Sequence, residues 1–377
     1  MQILIASGAF KHSLSAGQAT TAIARGLAQA LPDADLIELP IADGGNGTLD
    51  AWLAQGGTRH TLTVHDPLIR PIQAEYGILP DGRTAVIEMA LASGIELLTT
   101  AERDPLRATT YGTGELLQHA LEQGARRFII GLGGSATVDG GAGALQALGV
   151  GLLDAEGQSV EVGGGNLYQI TRIDASALDV RWAECTIIIA SDVENPLLGE
   201  RGAAAIFGPQ KGASAEDVHQ LETNLTHFAD LITIQHGITI ADLQGAGAAG
   251  GLSAGLIAFL GGEIQSGIDL LLDYNQFEAR LSQAEMVITG EGQMDEQTVY
   301  GKGPVGVARM AQAHGKPTIA LVGGLNVHDR TLHDAGITAV FPIVDRPMTL
   351  EQALTDADTL LERAALRVGY LVQASRG

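Results

Sequence analysis

The sequence contains few lysines, and their positions are uneven. Only four of its 22 lysine and arginine residues are lysine, and three of the four, Lys11, Lys211 and Lys302, lie in loops at the ends of predicted helices and strands. Lys211 and Lys302 also have glycine neighbours. A compact ammonium group beside exposed backbone N–H groups is suited to binding phosphate oxygens. We therefore predict a polyphosphate site, although each lysine taken alone is equally consistent with a solvated turn.

Carboxylates follow three of the predicted strands. Asp43 and Asp192 each come shortly after an apolar segment, and Glu291 and Asp295 follow the apolar residues 286–289. In open α/β sheets, ligands bind at the carboxyl ends of the strands. A carboxylate there can accept a hydroxyl proton in phosphoryl transfer, which makes Asp192, Asp295 and Asp43 candidate catalytic residues. Asp192 and Asp295 are also candidate Mg²⁺ ligands, whereas the alternative for each aspartate is a helix cap.

A glycine-rich loop, residues 131–143, follows the predicted strand 127–130. Backbone N–H groups at a strand–loop–helix junction can bind anions. Gly133, Gly134 and Ser135 are therefore candidate phosphate or substrate ligands. The sequence G-x-x-x-x-G-K-[ST] is absent from the chain, which excludes a standard P-loop enzyme.

The same loop supports a different hypothesis. Residues 131–136 match G-x-G-x-x-A, and Asp154 follows about 20 residues later, as in dinucleotide-binding folds. This pattern would suit an NAD-dependent oxidoreductase that uses residues 131–154. Against it, Gly140, Gly141 and Gly143 would each weaken the required helix by about 1 kcal/mol.

The two ends of the chain contain alternating strand and helix patterns. Such an order is typical of a parallel, doubly wound sheet. Ser13 or Ser15 is the candidate N-cap of the first helix. The predicted strands are 2–6, 35–39, 286–289, 318–322 and 339–343, and the predicted helices are 15–31, 47–55, 305–313 and 350–366.

Five parallel strands are enough for a flavodoxin-like sheet. We therefore predict an α/β fold in which residues 1–60 and 283–377 form a discontinuous flavodoxin-like domain, with residues 61–282 as an inserted second α/β domain. The inserted part begins with a predicted antiparallel meander, strands 60–64, 73–78 and 84–89.

The composition excludes several classes of protein. The formal net charge is −22, which excludes a general nucleic-acid binder and offers no attraction to anionic membranes. The N-terminus lacks a signal-peptide pattern, and no apolar stretch is long enough to span a membrane. One cysteine, Cys185, cannot form an internal disulfide. These features predict a cytoplasmic protein that acts on a small molecule, and they leave open whether it forms a homodimer.

Motifs along nearly the whole chain resemble the bacterial glycerate kinase family that includes the glucarate/glyoxylate-pathway glycerate 2-kinases. They occur in the order found in that family. The motifs are Phe10-Lys-x-Ser-Leu-Ser15, Ala42-Asp-Gly-Gly45, Tyr111-Gly-Thr-Gly-Glu115, Gly131-Leu-Gly-Gly-Ser-Ala-Thr137, Asp139-Gly-Gly141, Asp192-Val-x-Asn-Pro196, Phe207-Gly-Pro-Gln-Lys-Gly212, Gly247-Ala-Ala-Gly-Gly251, Thr289-Gly-Glu-Gly292 with Asp295, and Gly301-Lys302.

The resemblance implies an ATP-dependent, Mg²⁺-requiring phosphotransferase that acts on D-glycerate and typically forms 2-phosphoglycerate. It also implies a flavodoxin-like domain with an inserted α/β domain. Its motifs cover the predicted phosphate- or substrate-binding residues. These are Lys11, Ser13, Gly133, Gly134, Ser135, Lys211, Glu291 and Lys302.

One loop departs from the family pattern. Where the family usually has Ala-Pro-Asp-Ser-Phe-Lys-Glu-Ser, the chain has Ala6-Ser-Gly-Ala-Phe-Lys-His-Ser13, and Asn46 stands where Glu is usual. Gly8 and Ala9 thus replace a carboxylate and a hydroxyl at the predicted ligand edge of the sheet. A kinase of another small hydroxy acid, or a non-catalytic binding protein, therefore remains an alternative.

Overall fold

A computed structural model of the chain describes residues 1–299 and 303–376, which contain thirteen β-strands and fifteen α-helices. The strands are β1 Gln2–Ser7, β2 Asp35–Glu38, β3 Thr58–His65, β4 Pro71–Ile78, β5 Thr84–Glu88, β6 Arg127–Gly131, β7 Gly151–Leu153, β8 Arg172–Asp174, β9 Thr186–Ala190, β10 Glu263–Gln265, β11 Met286–Asp295, β12 Thr318–Asn326 and β13 Ala339–Pro342. The helices are α1 Ala16–Ala30, α2 Thr48–Leu53, α3 Ala90–Ser93, α4 Tyr111–Glu122, α5 Ala142–Ala147, α6 Ala203–Phe207, α7 Ala215–His236, α8 Leu252–Leu260, α9 Gly267–Tyr274, α10 Phe277–Gln283, α11 Glu296–Val299, α12 Gly303–Ala313, α13 Asp329–Asp334, α14 Leu350–Thr355 and α15 Ala357–Ala374.

The chain divides into two compact units. The first unit comprises residues 1–43, 50–55 and 268–377, and the second comprises residues 44–49 and 56–267. Helices α9 and α10 thus belong to the first unit, whereas the boundary predicted from the sequence, at residue 283, assigned them to the inserted domain. The division into two domains at residues 60 and 283 stays a prediction.

The first unit is built on a five-stranded parallel sheet with the order β13-β12-β11-β1-β2. When only the strands of this unit are numbered, their order is that of flavodoxin-like folds. The topological switch point lies between β1 and β11. The central strands are apolar and buried, as expected for a sheet covered on both faces. All five strands were predicted from the sequence, and the flavodoxin-like fold is confirmed.

Two strands of this sheet are longer than predicted. β11 continues to Asp295 and β12 to Asn326, and their register keeps Glu291 opposite Val322 and Asp295 opposite Asn326. The prediction that Glu291 and Asp295 lie in a loop beyond the strand was therefore wrong. The apolar pattern ends at residue 289, but backbone pairing with β12 continues through the polar residues that follow.

The first helix begins at a reciprocal cap. The Ser15 hydroxyl accepts a hydrogen bond from Gln18 N, and the Gln18 side chain accepts one from Ser15 N, which satisfies donors that the helix leaves unpaired. Ser15 is thus the N-cap, and Ser13 is not. The predicted helix 350–366 is divided at Asp356 into α14 and α15.

The second unit contains a mixed six-stranded sheet with the order β10-β9-β6-β5-β4-β3. Strands β3, β4 and β5 pair antiparallel, which confirms the predicted meander, and the pairs β5–β6, β6–β9 and β9–β10 are parallel. Their inner faces pack against α4 and α8, with Phe128 and Trp182 in the core.

The dinucleotide-binding hypothesis is wrong on structural grounds. A dinucleotide fingerprint requires two neighbouring parallel strands joined by a helix. Here β7 pairs antiparallel with β8 in a separate two-stranded sheet and does not join β6. The intervening helix α5 has only six residues and begins at Ala142, well after the end of β6.

None of the helices in residues 1–299 and 303–376 is long and apolar enough to cross a membrane.

Candidate active site

The switch point of the first unit is held together by backbone contacts between β1 and β11. Gly8 N donates to Gly290 O at 2.8 Å, and Thr289 Oγ1 donates to Ala6 O at 2.7 Å. A Cβ at Gly292 would lie 3.1 Å from Lys11 N, so the turn after β1 lies directly beside β11. The sheet thereby makes the turn that contains Lys11 adjacent to the segment that contains Glu291.

Glu291 is a carboxylate with a strongly raised pKa beside the turn that follows β1. Burial raises the pKa of Glu291 to about 7, and the negative charges of Asp43 and Asp295 act in the same direction. A hydrogen bond from Thr298 Oγ1, at 2.9 Å, and the positive charge of Lys11 oppose this rise in pKa. A base with a pKa near neutrality, close to a cation, is suited to proton transfer at physiological pH.

The turn that follows β1 places Lys11 at the surface. Phe10 is buried, and its carbonyl oxygen accepts hydrogen bonds from Ser13 N, Ser13 Oγ and Leu14 N. Lys11 itself is exposed, as a ligand-binding cation must be. The Ser13 hydroxyl closes this turn, and its role in binding substrate stays a prediction.

The described residues contain no group of three or more His, Cys, Asp or Glu side chains that could hold a metal ion. This does not argue against Mg²⁺, which is commonly bound through one or two carboxylates together with substrate phosphates and water. Asp43 and Asp295, whose charges both act on Glu291, have the chemistry of such a donor set. These two carboxylates of the first unit are therefore suited to Mg²⁺, whose binding here stays a prediction.

In the second unit, a segment from the Asp-Gly-Gly motif lies against the glycine-rich loop. Gly133 N donates to Gly44 O at 2.8 Å. The segment is also held by Glu88, whose two carboxylate oxygens accept from Gly47 N and Leu49 N, both at 3.0 Å. Gly44 has φ +92°, and a Cβ there would overlap the carbonyl oxygen of Ala190. The glycine is therefore required by close backbone contact.

Lys211 is buried beneath the glycine-rich loop. It is 3% exposed, and its Nζ donates to Ser135 Oγ and to Thr137 O, both at 2.7 Å. Burial lowers the pKa of Lys211 to about 7, and the charge of Asp139 opposes this change. Lys211 and Ser135 were predicted separately as phosphate or substrate ligands, and the structure brings them into direct contact, with Gly134 exposed beside them. Their binding roles stay predictions.

A second buried charge, Asp139, fixes the far end of the same loop. Its carboxylate accepts hydrogen bonds from Thr110 N, Thr110 Oγ1 and Gly141 N, at 2.8, 2.9 and 3.1 Å. Burial raises the pKa of Asp139, while these hydrogen bonds lower it. The loop is thus attached to the helix-start residue Thr110 at one point and to Lys211 at another.

Asp192 lies two residues after Ala190, the last residue of β9 and of the strand predicted from the sequence, and is half-buried. The loop beyond it is ordered by Gly247 N, which donates to Asn195 O at 3.0 Å, and by Asn195 Nδ2, which donates to Arg201 O at 2.8 Å. The strand end was correctly predicted. The catalytic or metal-binding role of Asp192 stays a prediction.

The structure therefore brings the predicted site residues together in two groups. The first unit groups Lys11, Asp43, Glu291 and Asp295, and the second groups Gly133, Gly134, Ser135 and Lys211. Lys302 lies outside the described residues.

Three side chains that contribute to these groups were not predicted as site residues. They are Thr298, Glu88 and Asp139. Asp139 was part of a recognised motif, and its position among glycines could have identified it. Thr298 and Glu88 lie in segments with no motif, and only the fold brings them to their partners.

Comparison with known proteins relates these groups to one family. Residues 3–373 match the glycerate kinase family. The glycerate 2-kinase of Escherichia coli (strain K12) is 46% identical over 370 residues, covering 98% of this chain and 97% of that protein. The glycerate kinase of Bacillus subtilis (strain 168) is 46% identical over 377 residues, covering 100% of this chain and 99% of that protein.

The fold is shared with a solved structure. The crystal structure of a candidate glycerate kinase 2 from Salmonella typhimurium LT2 is 46% identical in sequence and matches with a TM-score of 0.87. The match covers 100% of this chain and 99% of that one. The resemblance inferred from the motifs is confirmed, and the chain belongs to the glycerate kinase family.

Proposed function

We propose that the protein is an ATP-dependent kinase that phosphorylates a hydroxyl group of glycerate to give phosphoglycerate and ADP. We expect the product to be 2-phosphoglycerate, since the Escherichia coli relative is named a glycerate 2-kinase. Family membership supports the reaction class. The proposed chemistry rests on one observation: Glu291, at the ligand edge of a parallel sheet, has a raised pKa.

In the proposed reaction, the glycerate hydroxyl oxygen attacks the γ-phosphorus of ATP. The bond from that phosphorus to the bridging oxygen breaks, and ADP leaves with the electron pair. Glu291 in its ionised form accepts the hydroxyl proton. A carboxylate with a pKa of about 7 is a stronger base than an ordinary glutamate and is still substantially ionised near neutral pH.

The other carboxylates have supporting roles in this proposal. Mg²⁺ supplies electrostatic stabilisation of the phosphate oxygens. Asp295 would hold it, with Asp43 beside it, because both charges act on Glu291. Asp192 keeps its predicted role as a metal-orienting carboxylate, and its other predicted role, as the base, is the alternative to Glu291. Its position two residues after β9 supports the metal-orienting role, because ligands bind just beyond the carboxyl ends of parallel strands.

The anionic groups of the substrates need positive partners. Lys11 is exposed beside the carboxylates and is suited to a phosphate or carboxylate oxygen. From the sequence alone, Lys302 is also proposed to bind a phosphate or carboxylate oxygen. Gly134 and Ser135 provide N–H and hydroxyl donors in the second unit for an anion, whereas the predicted donor Gly133 N is bound to Gly44 O.

The turn after β1 favours one second candidate, a kinase of another small hydroxy acid. Ser7 is fully buried, and its hydroxyl lies within hydrogen-bonding distance of the carbonyl oxygens of Gly8 and Gly290. Gly8 and Ala9 add no polar side chain. The turn therefore offers a ligand backbone groups where the family usually offers a carboxylate and a hydroxyl, and this difference can change which acid is preferred.

We expect this activity in the cytoplasm and without nucleic-acid partners, given a formal net charge of −22. ATP is the expected phosphate donor and Mg²⁺ the expected ion. A homodimer is compatible with the proposal but is not required by it.

A coupled ADP-release assay against a panel of small hydroxy acids tests the proposal. We expect ADP formation that depends on D-glycerate, with lower kcat/KM for L-glycerate, glycolate and lactate. A higher kcat/KM for another acid would favour the second candidate function. ADP release that is independent of every acid would exclude both.

A further inference from the structure

In the hydrogen bond between Lys211 and Ser135, the lysine ammonium is the donor. The two side chains are 3% and 8% exposed, and Lys211 Nζ lies 2.7 Å from Ser135 Oγ. An ammonium group has three donors and no acceptor, whereas a hydroxyl can do both. While Lys211 is protonated, Ser135 is therefore the acceptor in this bond, and its own hydroxyl hydrogen is left for another acceptor.

No acceptor in the described part of the chain takes that hydrogen. Within residues 1–299 and 303–376, the Ser135 hydroxyl donates to no other group, and the backbone N–H groups of Gly134 and Ser135 have no acceptor either. Gly134 is exposed, with φ +77°, so a ligand can reach these donors from solvent. Three unpaired donors on consecutive residues next to a buried ammonium are suited to an anionic oxygen.

We propose that Lys211 is a positioning residue, which orients the Ser135 hydroxyl towards an anionic oxygen of a bound substrate. This inference rests on the proposed kinase function. The oxygen belongs either to a phosphate of the nucleotide or to the carboxylate of the hydroxy acid. Lys211 acts through Ser135 and does not touch the ligand, since its Nζ is buried and bound to Ser135 Oγ and Thr137 O.

The loop has other anchors that keep its backbone in place when this bond is lost. Asp139 holds Thr110 and Gly141, and Gly133 N donates to Gly44 O at 2.8 Å. Ala136 N also donates to Ser93 O at 3.0 Å. Removing the ammonium should therefore change the direction of one hydroxyl more than the path of the loop.

The test uses the full-length protein with Ser135→Ala, Lys211→Met and the double variant. Ser253→Ala is the matched control, because Ser253 is a fully buried serine of the same unit whose hydroxyl has no partner among the described residues. KM for ATP and KM for glycerate are measured separately, with kcat. Calorimetric titration with ADP, inorganic phosphate and glycerate measures binding without turnover, so a failure of the kinase proposal is recognised separately.

Ser135→Ala should raise one of the two KM values by roughly 10- to 100-fold, the usual effect of losing a hydrogen bond to a charged group. A rise for ATP, with weaker ADP and phosphate binding, identifies a phosphate, and a rise for glycerate identifies the carboxylate. Lys211→Met should raise the same KM, and the double variant should be no worse than Ser135→Ala. Ser253→Ala should leave both values unchanged.

The inference is overturned if the two single effects multiply in the double variant, since Lys211 would then act independently of Ser135. It is equally overturned if Ser135→Ala binds all three probes as well as the Ser253→Ala control does. This second criterion still decides the question if circular dichroism shows that Lys211→Met does not fold.

Discussion

The Thr298 hydroxyl connects the end of β11 to the carboxylate of Glu291. Thr298 Oγ1 donates to Glu291 Oε1 at 2.9 Å and accepts from Asp295 N at 3.2 Å. The threonine thus fixes one carboxylate oxygen of Glu291. The second oxygen has no hydrogen bond from residues 1–299 or 303–376 and is free to take a substrate proton in the proposed reaction. The orientation of the proposed base is consequently set by a residue of α11 and by the strand that precedes it.

Glu291→Gln should remove most of the activity while the fold survives. The amide keeps the shape of the side chain but cannot take up a proton near neutral pH, so we expect kcat to fall by roughly 10²- to 10⁴-fold. Glu278→Gln, a change at an exposed glutamate of the first unit, is the matched control and should retain wild-type kcat. Equal kcat in the two variants, with normal circular dichroism, would rule out Glu291 as the base.

The pH dependence of kcat/KM should follow the raised pKa of Glu291. The base works only when ionised, so kcat/KM should decrease below a midpoint of about 7, and an ordinary glutamate would give a midpoint near 4. Asp43→Asn removes one of the charges that raise this pKa and should move the midpoint to lower pH. A flat profile between pH 5 and pH 8 contradicts the assignment.

The sequence predicted every strand of the five-stranded sheet, because buried parallel strands are short apolar segments. In the six-stranded sheet it missed β10, which has only three residues. It failed at the end of β11, where pairing with β12 continues through Gly290 and Glu291 and again from Gln293 to Asp295. Backbone hydrogen bonds in a parallel sheet depend on the neighbouring strand, and no local pattern reveals that neighbour. For the same reason, Thr298 and Glu88 could not be recognised from the sequence.

Candidate residues were predicted best where a rare residue type coincided with a loop. Lys211 is one of only four lysines, and it does lie against the glycine-rich loop. Its burial could not be predicted, since it depends on the packing of the whole second unit. Likewise, residue spacing suggested a dinucleotide fingerprint, and only the pairing of β7 with β8 excluded it.

Asp192→Asn tests whether Asp192, in the second unit, takes part in catalysis. If Asp192 orients the metal or accepts the proton, kcat should fall by roughly 10²- to 10⁴-fold. The fold should persist because Asn caps turns and helices almost as well as Asp. If Glu291 is the base, the pH midpoint of the residual activity should not move. A kcat within a few-fold of wild type would show that Asp192 only shapes its loop.

Gly44→Ala should destabilise the protein more than Gly82→Ala. Both glycines have positive φ, +92° and +68°, but only Gly44 would place its Cβ against a carbonyl oxygen, that of Ala190, while Gly82 has no atom within 4 Å. The left-handed conformation alone costs about 1–2 kcal/mol for alanine. Urea unfolding should therefore show a larger loss for Gly44→Ala, and equal losses would contradict the close contact.

Removal of divalent cations should abolish turnover. The proposed site supplies at most a few carboxylates, so the ion should be bound weakly without nucleotide and removed readily by a chelator. Activity should return on addition of excess Mg²⁺. Undiminished ADP formation in excess chelator would contradict the role given to Asp295.

The most direct test of the central claim is phosphorus NMR of the product formed from ATP and D-glycerate. Transfer to the secondary hydroxyl predicts a new phosphoester signal that one carbon-bound proton splits into a doublet. A triplet would place the phosphate on the primary hydroxyl and contradict the proposed 2-phosphoglycerate. If only inorganic phosphate appears, or no new signal at all, the protein does not transfer phosphate to glycerate and the account is wrong.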